Sequence, residues 1–202
     1  MTNTDPIRKG AWIQTFTGRQ FWPQDARKND INIRDIAHSL SMKCRFNGHC
    51  RAFYSVAEHS VHVSRIVAPE FALWGLLHDA AESYISDVPR PIKSNLFVLD
   101  ASAPEGQRLG FFRALEGKLI DVIAGHFRLP VRLEGNITAE VRAADEIMLA
   151  TEKAFLMAKE PAPWDALPDP LDRSIIKCWT PGVAEREFLA RFKELMSGDD
   201  VF

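Results

Sequence analysis

Apolar residues recur at helical spacing along most of this chain. In "NDINIRDIAHSLSMKCRF" they fall at Ile33, Ile36, Ala37, Leu40 and Cys44, with Asp30 or Asn32 placed to cap a first helix. "VAEHSVHVSRIVA" repeats the pattern through Val56, His59, Val63, Ile66 and Val67. Ser55 opens it, and Glu58, three residues on, completes the spacing of a capping box. Pro69 ends that helix and seeds the next, "EFALWGLLHDAAESYI", which is apolar on nearly every side and therefore predicts a central, buried helix. Further helices are predicted over 105–127, from Thr138 through "TAEVRAADEIMLATEKAFLMAK", and from Pro181 through "GVAEREFLARFKELM". "TFTGRQFWP" reads as an irregular or hairpin-like segment, "GHCRAFYS" as a loop opened by Gly48, and "SDVPRPIKSNL" and "PAPWDALPDP" as proline-stiffened loops. Strand signals are few. The pattern predicts an all-α domain, a bundle of five to seven helices behind an irregular N-terminal segment.

Composition narrows the function classes. A chain of 202 residues with 46% hydrophobic content supports one domain with a real core. Its core is expected over 32–159, between an N-terminal segment at 1–31 and a helical extension at 160–202. A net charge of −2 argues against coating polymeric nucleic acid. No apolar run reaches the roughly 18 residues of a membrane span, and no h-region follows the N-terminal charges, so a cytoplasmic protein without a membrane partner is expected. Three cysteines without CxxC spacing fit reduced thiols; Cys44 and Cys50 are expected to be small buried side chains rather than metal ligands. The N-terminal aromatics Trp12, Phe16, Phe21 and Trp22 are expected to pack that segment onto the core, with nucleobase stacking as the alternative.

Chemistry enters with His59, the adjacent His78 and Asp79, and Asp145 in "VRAADEIMLA". All lie in apolar helical context, where an unpaired carboxylate costs several kcal/mol. Two His and two Asp on three helices suit Zn, Mn, Fe, Co or Ni rather than Ca. Such an ion, with positions left for water, would activate water and polarise a phosphoryl oxygen. Neighbouring helix residues point about 100° apart, so His78 and Asp79 reach one ion only if it sits against the helix between them. Single His and Asp residues also serve as ordinary packing groups, and spacing alone leaves both readings open.

The run of Glu58, His59 and Ser60, then "LLHDAAE", then "AADEI" resembles the H…HD…D signature of the HD-domain metal-dependent phosphohydrolases. "HDAAESYISDVPRPIK" further resembles the H-D-A-x-E…D-x-P-x-P-x-K run of bacterial HD-type 5′-deoxynucleotidases and of related phage enzymes that strip triphosphate from dATP. The likeness spans roughly 32–159. It implies an HD-domain helical bundle that hydrolyses the 5′-phosphate ester of 2′-deoxynucleoside mono- to triphosphates. His59, His78, Asp79 and Asp145 match its metal ligands, for Co, Mn, Zn, Fe or Ni, with Mg as a second ion for triphosphates. Asp79 and Glu82 match its catalytic residues, Glu82 orienting or deprotonating the attacking water. Arg45 matches a phosphate-binding arginine, Phe46 stands where a Trp near the nucleoside is expected, Asp87 matches a residue near the sugar 3′-hydroxyl, and Lys93 a phosphate-side lysine. Members are often dimers or larger, so a homo-oligomer is expected.

Loop position adds two candidates. His49 beside Arg45, and Arg19 in "TGRQFW", would extend a phosphate pocket, Arg19 from its own chain or a neighbouring subunit. Arg51 and Arg90 are candidates for lining an exit for further phosphates. His62 is either a neighbour of the metal ligands or a packing residue, and His38 and His126 read as structural. Two other readings remain: a nucleotide-binding regulatory module with a vestigial HD centre, and a signalling-nucleotide phosphodiesterase.

Overall fold

The computed structural model describes residues 7–99, 109–129, 137–164 and 166–197, and their architecture is all-α. The helices are α1 (Ile33–Met42), α2 (Val56–Ile66), α3 (Ala72–Leu77), α4 (Glu82–Ile85), α5 (Arg90–Lys93), α6 (Phe112–His126), α7 (Ile137–Leu156) and α8 (Pro181–Ser197). Among the described residues the only strands form two small antiparallel ribbons, β1 (Ile13–Gln14) with β2 (Gln20–Phe21), and β3 (Phe97–Leu99) with β4 (Leu109–Phe111). No described helix is long and apolar enough to cross a membrane.

The caps read from sequence form where side-chain oxygens meet orphan amides. Asn32 Oδ1 accepts from the Arg34 N–H at 2.9 Å, and Ser55 Oγ from the Glu58 N–H at 3.0 Å. α2 and α3 pack most closely, and Gly75 permits it: a Cβ there would lie 3.0 Å from the Ser64 Cα. α8 packs on α1 and α2, burying Ala184 and Phe188 in the core with Leu40, Val63 and Met148. In the N-terminal segment Phe21 is buried and stacks on Tyr84 at 3.8 Å, and Phe16 stacks on His38 at 3.7 Å. Asp35 anchors the segment by accepting from the Thr17 N–H and hydroxyl at 2.7 and 2.9 Å. Trp12 stays exposed, apart from the packing expected of it.

Four expectations need correction. The continuous helix through "EFALWGLLHDAAESYI" is interrupted: α3 ends at Leu77, residues 78–81 form turns, and α4 begins at Glu82. There Ala80, Glu82 and Ser83 donate three residues back, to the carbonyls of Leu77, Asp79 and Ala80, so the backbone is wound more tightly than an α-helix. The helix predicted over 105–127 starts at Phe112, because residues 109–111 pair with β3; residues 105–108 lie outside the described set. The loop after Asp87 contains a single helical turn, α5, with Pro89 and Pro91 fitted to its start.

The capping box is only half made. Glu58 does not return to the Ser55 amide; its fully buried carboxylate accepts instead from the N–H groups of Lys177, Cys178 and Trp179 at 2.8, 2.9 and 2.6 Å. One carboxylate thus ties the segment before α8 to α2. Glu58→Ala would leave those amides without an acceptor. A loss of about 3 kcal/mol in urea unfolding is expected, whereas a change below about 0.5 kcal/mol would contradict this role.

Candidate metal and phosphate site

Three elements converge under the turn at residues 78–81. α2 supplies His59, the turn after α3 supplies His78 and Asp79, and α7 supplies Asp145. The ligating atoms of His59, His78 and Asp145 lie within 4.8 Å of one another. His59 Nε2 is 3.3 Å from His78 Nε2 and 3.2 Å from Asp145 Oδ1. Asp79 flanks this trio, with Oδ2 3.2 Å from His78 Nε2 and 3.8 Å from His59 Nε2. The tight turn is what lets adjacent residues 78 and 79 address one point.

Each imidazole has its other nitrogen occupied. His78 Nδ1 donates to the Gly75 carbonyl at 2.8 Å, and His59 Nδ1 contacts Glu152 Oε1 at 2.6 Å. Both Nε2 atoms are thereby directed at the same place as the Asp oxygens. Two imidazole nitrogens and carboxylate oxygens on a common point form a donor set that could hold a metal ion.

The electrostatics are strongly coupled. Burial pulls the His78 pKa down, but the Asp79 carboxylate, with help from Asp145, lifts it to about 9. Asp79 resists burial because His78, His59 and Arg45 hold it well below the usual carboxylate range. Asp145 is likewise depressed, to about 2: burial opposes this and the His59 contact drives it. Glu82 moves the other way. Burial, then the Asp79 and Asp87 charges, push it well above an ordinary glutamate, and the Lys93 ammonium at 3.3 Å only partly offsets them.

Arg45 reaches the cluster from the loop after α1. Its N–H donates to the Tyr54 carbonyl at 2.9 Å, Cys44 pairs with Ser55 in an antiparallel bridge, and Phe46 and Asn47 adopt left-handed φ of 54° and 51°. Such backbone costs roughly 1 kcal/mol or more per non-glycine residue and is found where a loop must aim a side chain. Arg45 Nε donates to Glu152 Oε2 at 2.8 Å, and its Nη1 lies 3.7 Å from Asp79 Oδ2. The Cys44 and Cys50 thiols, 3.4 Å apart and half-buried, bracket this loop.

A cavity of about 1010 Å³ opens over these groups, lined by Arg45, Phe46, Asp79, Glu82, Asp87, Lys93 and Asp145. Arg90, Arg113 and Arg142 add positive charge, and Leu149, Trp164 and Leu167 an apolar stretch. Lys93 is held by Glu116 at 2.6 Å as well as by Glu82. Ser86, at a left-handed φ of 78°, turns the chain so that Asp87 follows on the cavity side. His49, Arg51 and Arg19 do not line it: His49 follows the left-handed Gly48 into solvent, Arg51 is exposed, and Arg19 sits on the exposed β1–β2 hairpin. His62 is buried against Trp179, at 5.3 Å between rings, and belongs to the packing around Glu58. His38 pairs with Glu185 on α8, and His126 packs on Phe127.

Sequence reading missed Glu152 and Glu116. Glu152 had a usable signal: it lies seven residues, two helical turns, after Asp145 on the same face. Glu116 meets Lys93 only through tertiary packing of α6, which no local spacing encodes.

No protein-family model matches the sequence. Two curated proteins resemble it over most of its length. One is the uncharacterized protein YfdR of Escherichia coli, 37% identical over 188 residues, covering 92% of this chain and 96% of that one. The other is the uncharacterized protein RCAP_rcc00048 of Rhodobacter capsulatus, 31% identical over 175 residues, covering 81% and 83%. With more than a third of positions identical along almost the whole of both sequences, the chain belongs to the family of Escherichia coli YfdR.

Proposed function

We propose that this chain is a metal-dependent phosphohydrolase of the HD type that removes the 5′-phosphate ester from small nucleotides, 2′-deoxynucleotides foremost. The observation that carries this reading is the meeting of His59, His78 and Asp145 within 4.8 Å in a cavity also lined by Arg45, Glu82 and Lys93. Metal donors, two cations for phosphate and one proton acceptor are the parts that phosphate-ester hydrolysis requires. His59, His78, Asp79 and Asp145 would hold a divalent ion, which when bound would supply Lewis acidity towards water and a phosphoryl oxygen.

The remaining work falls to side chains. Arg45 and Lys93 bind phosphate oxygens, the guanidinium with its planar fork and the ammonium as a point charge. Glu82 takes the proton of the attacking water. Burial and the Asp79 and Asp87 charges raise its pKa, so once transferred the proton is held more firmly than by an ordinary carboxylate. The water oxygen bonds to phosphorus, the P–O5′ bond breaks, and the proton passes to the departing 5′-oxygen. Asp87 and Phe46 line the same cavity, where they would meet sugar and base. Arg90, Arg113 and Arg142 favour room for phosphates beyond the first, so both mono- and triphosphates are candidate substrates.

The test is phosphate and triphosphate release across a panel of ribo- and deoxynucleotides, with Co, Mn, Zn, Fe, Ni or Mg supplied. Release from deoxynucleotides supports the reading; silence with every nucleotide and metal rejects it. Arg45→Ala is expected to lower kcat/KM about 10- to 100-fold while Co²⁺ uptake persists, the scale of losing a charged phosphate contact. Unchanged kinetics would remove Arg45 from the phosphate site.

A further inference from the structure

We propose that Glu152 is a positioning residue whose single carboxylate fixes His59 as an Nε2 metal ligand and Arg45 as a phosphate clamp. The inference rests on the reading of His59 as a ligand and extends it to a residue that touches neither metal nor substrate. Oε1 lies 2.6 Å from His59 Nδ1 and Oε2 lies 2.8 Å from Arg45 Nε, so the two oxygens are divided between the two groups. Glu152 and His59 are both fully buried. A carboxylate in that setting is unfavourable unless its lone pairs are met, and here they are met by two residues of the site.

The geometry has two consequences. An acceptor on Nδ1 keeps the proton there, leaves the Nε2 lone pair for the metal and stops the ring from turning. A bond to Nε orients the guanidinium plane and leaves its terminal nitrogens, one of them 3.7 Å from Asp79, at the mouth of the cluster. Glu152 stands on α7 two turns after Asp145, so one helix carries both a direct donor and the support for a second. Metal site and phosphate site are thereby braced by a single group. A glutamine cannot replace it: both partners are donors, and a carboxamide offers one acceptor and one donor.

The experiment titrates Co²⁺ into the full chain by its visible absorption, then inorganic phosphate into the Co²⁺-loaded chain by calorimetry. Glu152→Gln is expected to weaken Co²⁺ about 10- to 100-fold, shift its visible bands and weaken phosphate by a similar factor, with the circular dichroism of the wild type. A folded variant that binds both as the wild type does, with the same bands, overturns the inference and leaves the metal reading standing. A wild-type chain that takes up no Co²⁺ overturns both. Should the variant not fold, long-range proton–nitrogen correlation on the zinc-loaded wild type decides. It should show His59 protonated at Nδ1 and bound through Nε2; the opposite tautomer overturns the inference.

Discussion

Asp79→Ala is expected to abolish metal uptake and to cost about 10³-fold or more in phosphate release, in a chain that still folds. The carboxylate sits in a turn and is partly exposed, so its removal opens no core cavity. Electrostatics tie it to the site: His78, His59 and Arg45 all hold it ionised. Without it Arg45 keeps Glu152 as a partner at 2.8 Å, which spares the fold. His78, in contrast, loses the charge that offsets its burial, and the donor set loses a carboxylate. Metal analysis after dialysis, phosphate release and circular dichroism together check this. A folded, metal-loaded, active Asp79→Ala protein would contradict the site.

Glu82→Gln is expected to lower kcat about 10²- to 10⁴-fold while metal content stays at the wild-type level. Its stability signature sets it apart from structural damage. The Glu82 pKa is raised on folding, chiefly by burial and then by the Asp79 and Asp87 charges. A group raised in this way contributes stability that is fully present below its unfolded pKa and is lost as pH rises through the folded value. Glutamine is neutral at every pH and escapes that loss. Near pH 8 the variant should therefore melt no lower than the wild type, although it is far less active. A large fall in melting temperature with unchanged kcat would show Glu82 to be a packing residue.

Sequence periodicity carried much of this fold. α1, α2, α7 and α8 follow from apolar spacing, with Asn32 and Ser55 capping the first two and Pro181 at the start of α8. The break at residues 78–81 left no such mark. That stretch, His78 to Ala81, contains no Gly or Pro and is flanked by apolar residues, so periodicity cannot tell a tightened turn from a continuing helix. Glu58 shows a different limit: its spacing from Ser55 fits a local capping box, yet three amides more than a hundred residues away take its carboxylate. For the site, the apolar context of His59, His78 and Asp145 left a packing role open, and it was the resemblance to the H…HD…D pattern that grouped these residues, which the structure brings together. Glu152 was legible by the argument applied to Asp145, an acid on an apolar face, whereas the Glu116 contact to Lys93 depends on how α6 is placed. His49 and Arg19 were read from loop position, and side-chain direction in a loop is set by backbone angles that spacing does not report.

The most direct measurement follows the attacking oxygen. A deoxynucleoside monophosphate would be incubated with the metal-loaded chain in oxygen-18 water and the products read by phosphorus NMR and mass spectrometry. The account predicts inorganic phosphate carrying one solvent oxygen beside an unlabelled nucleoside, with none formed by Asp79→Ala. Label in the nucleoside, or no phosphate from any nucleotide with any divalent metal, would contradict it.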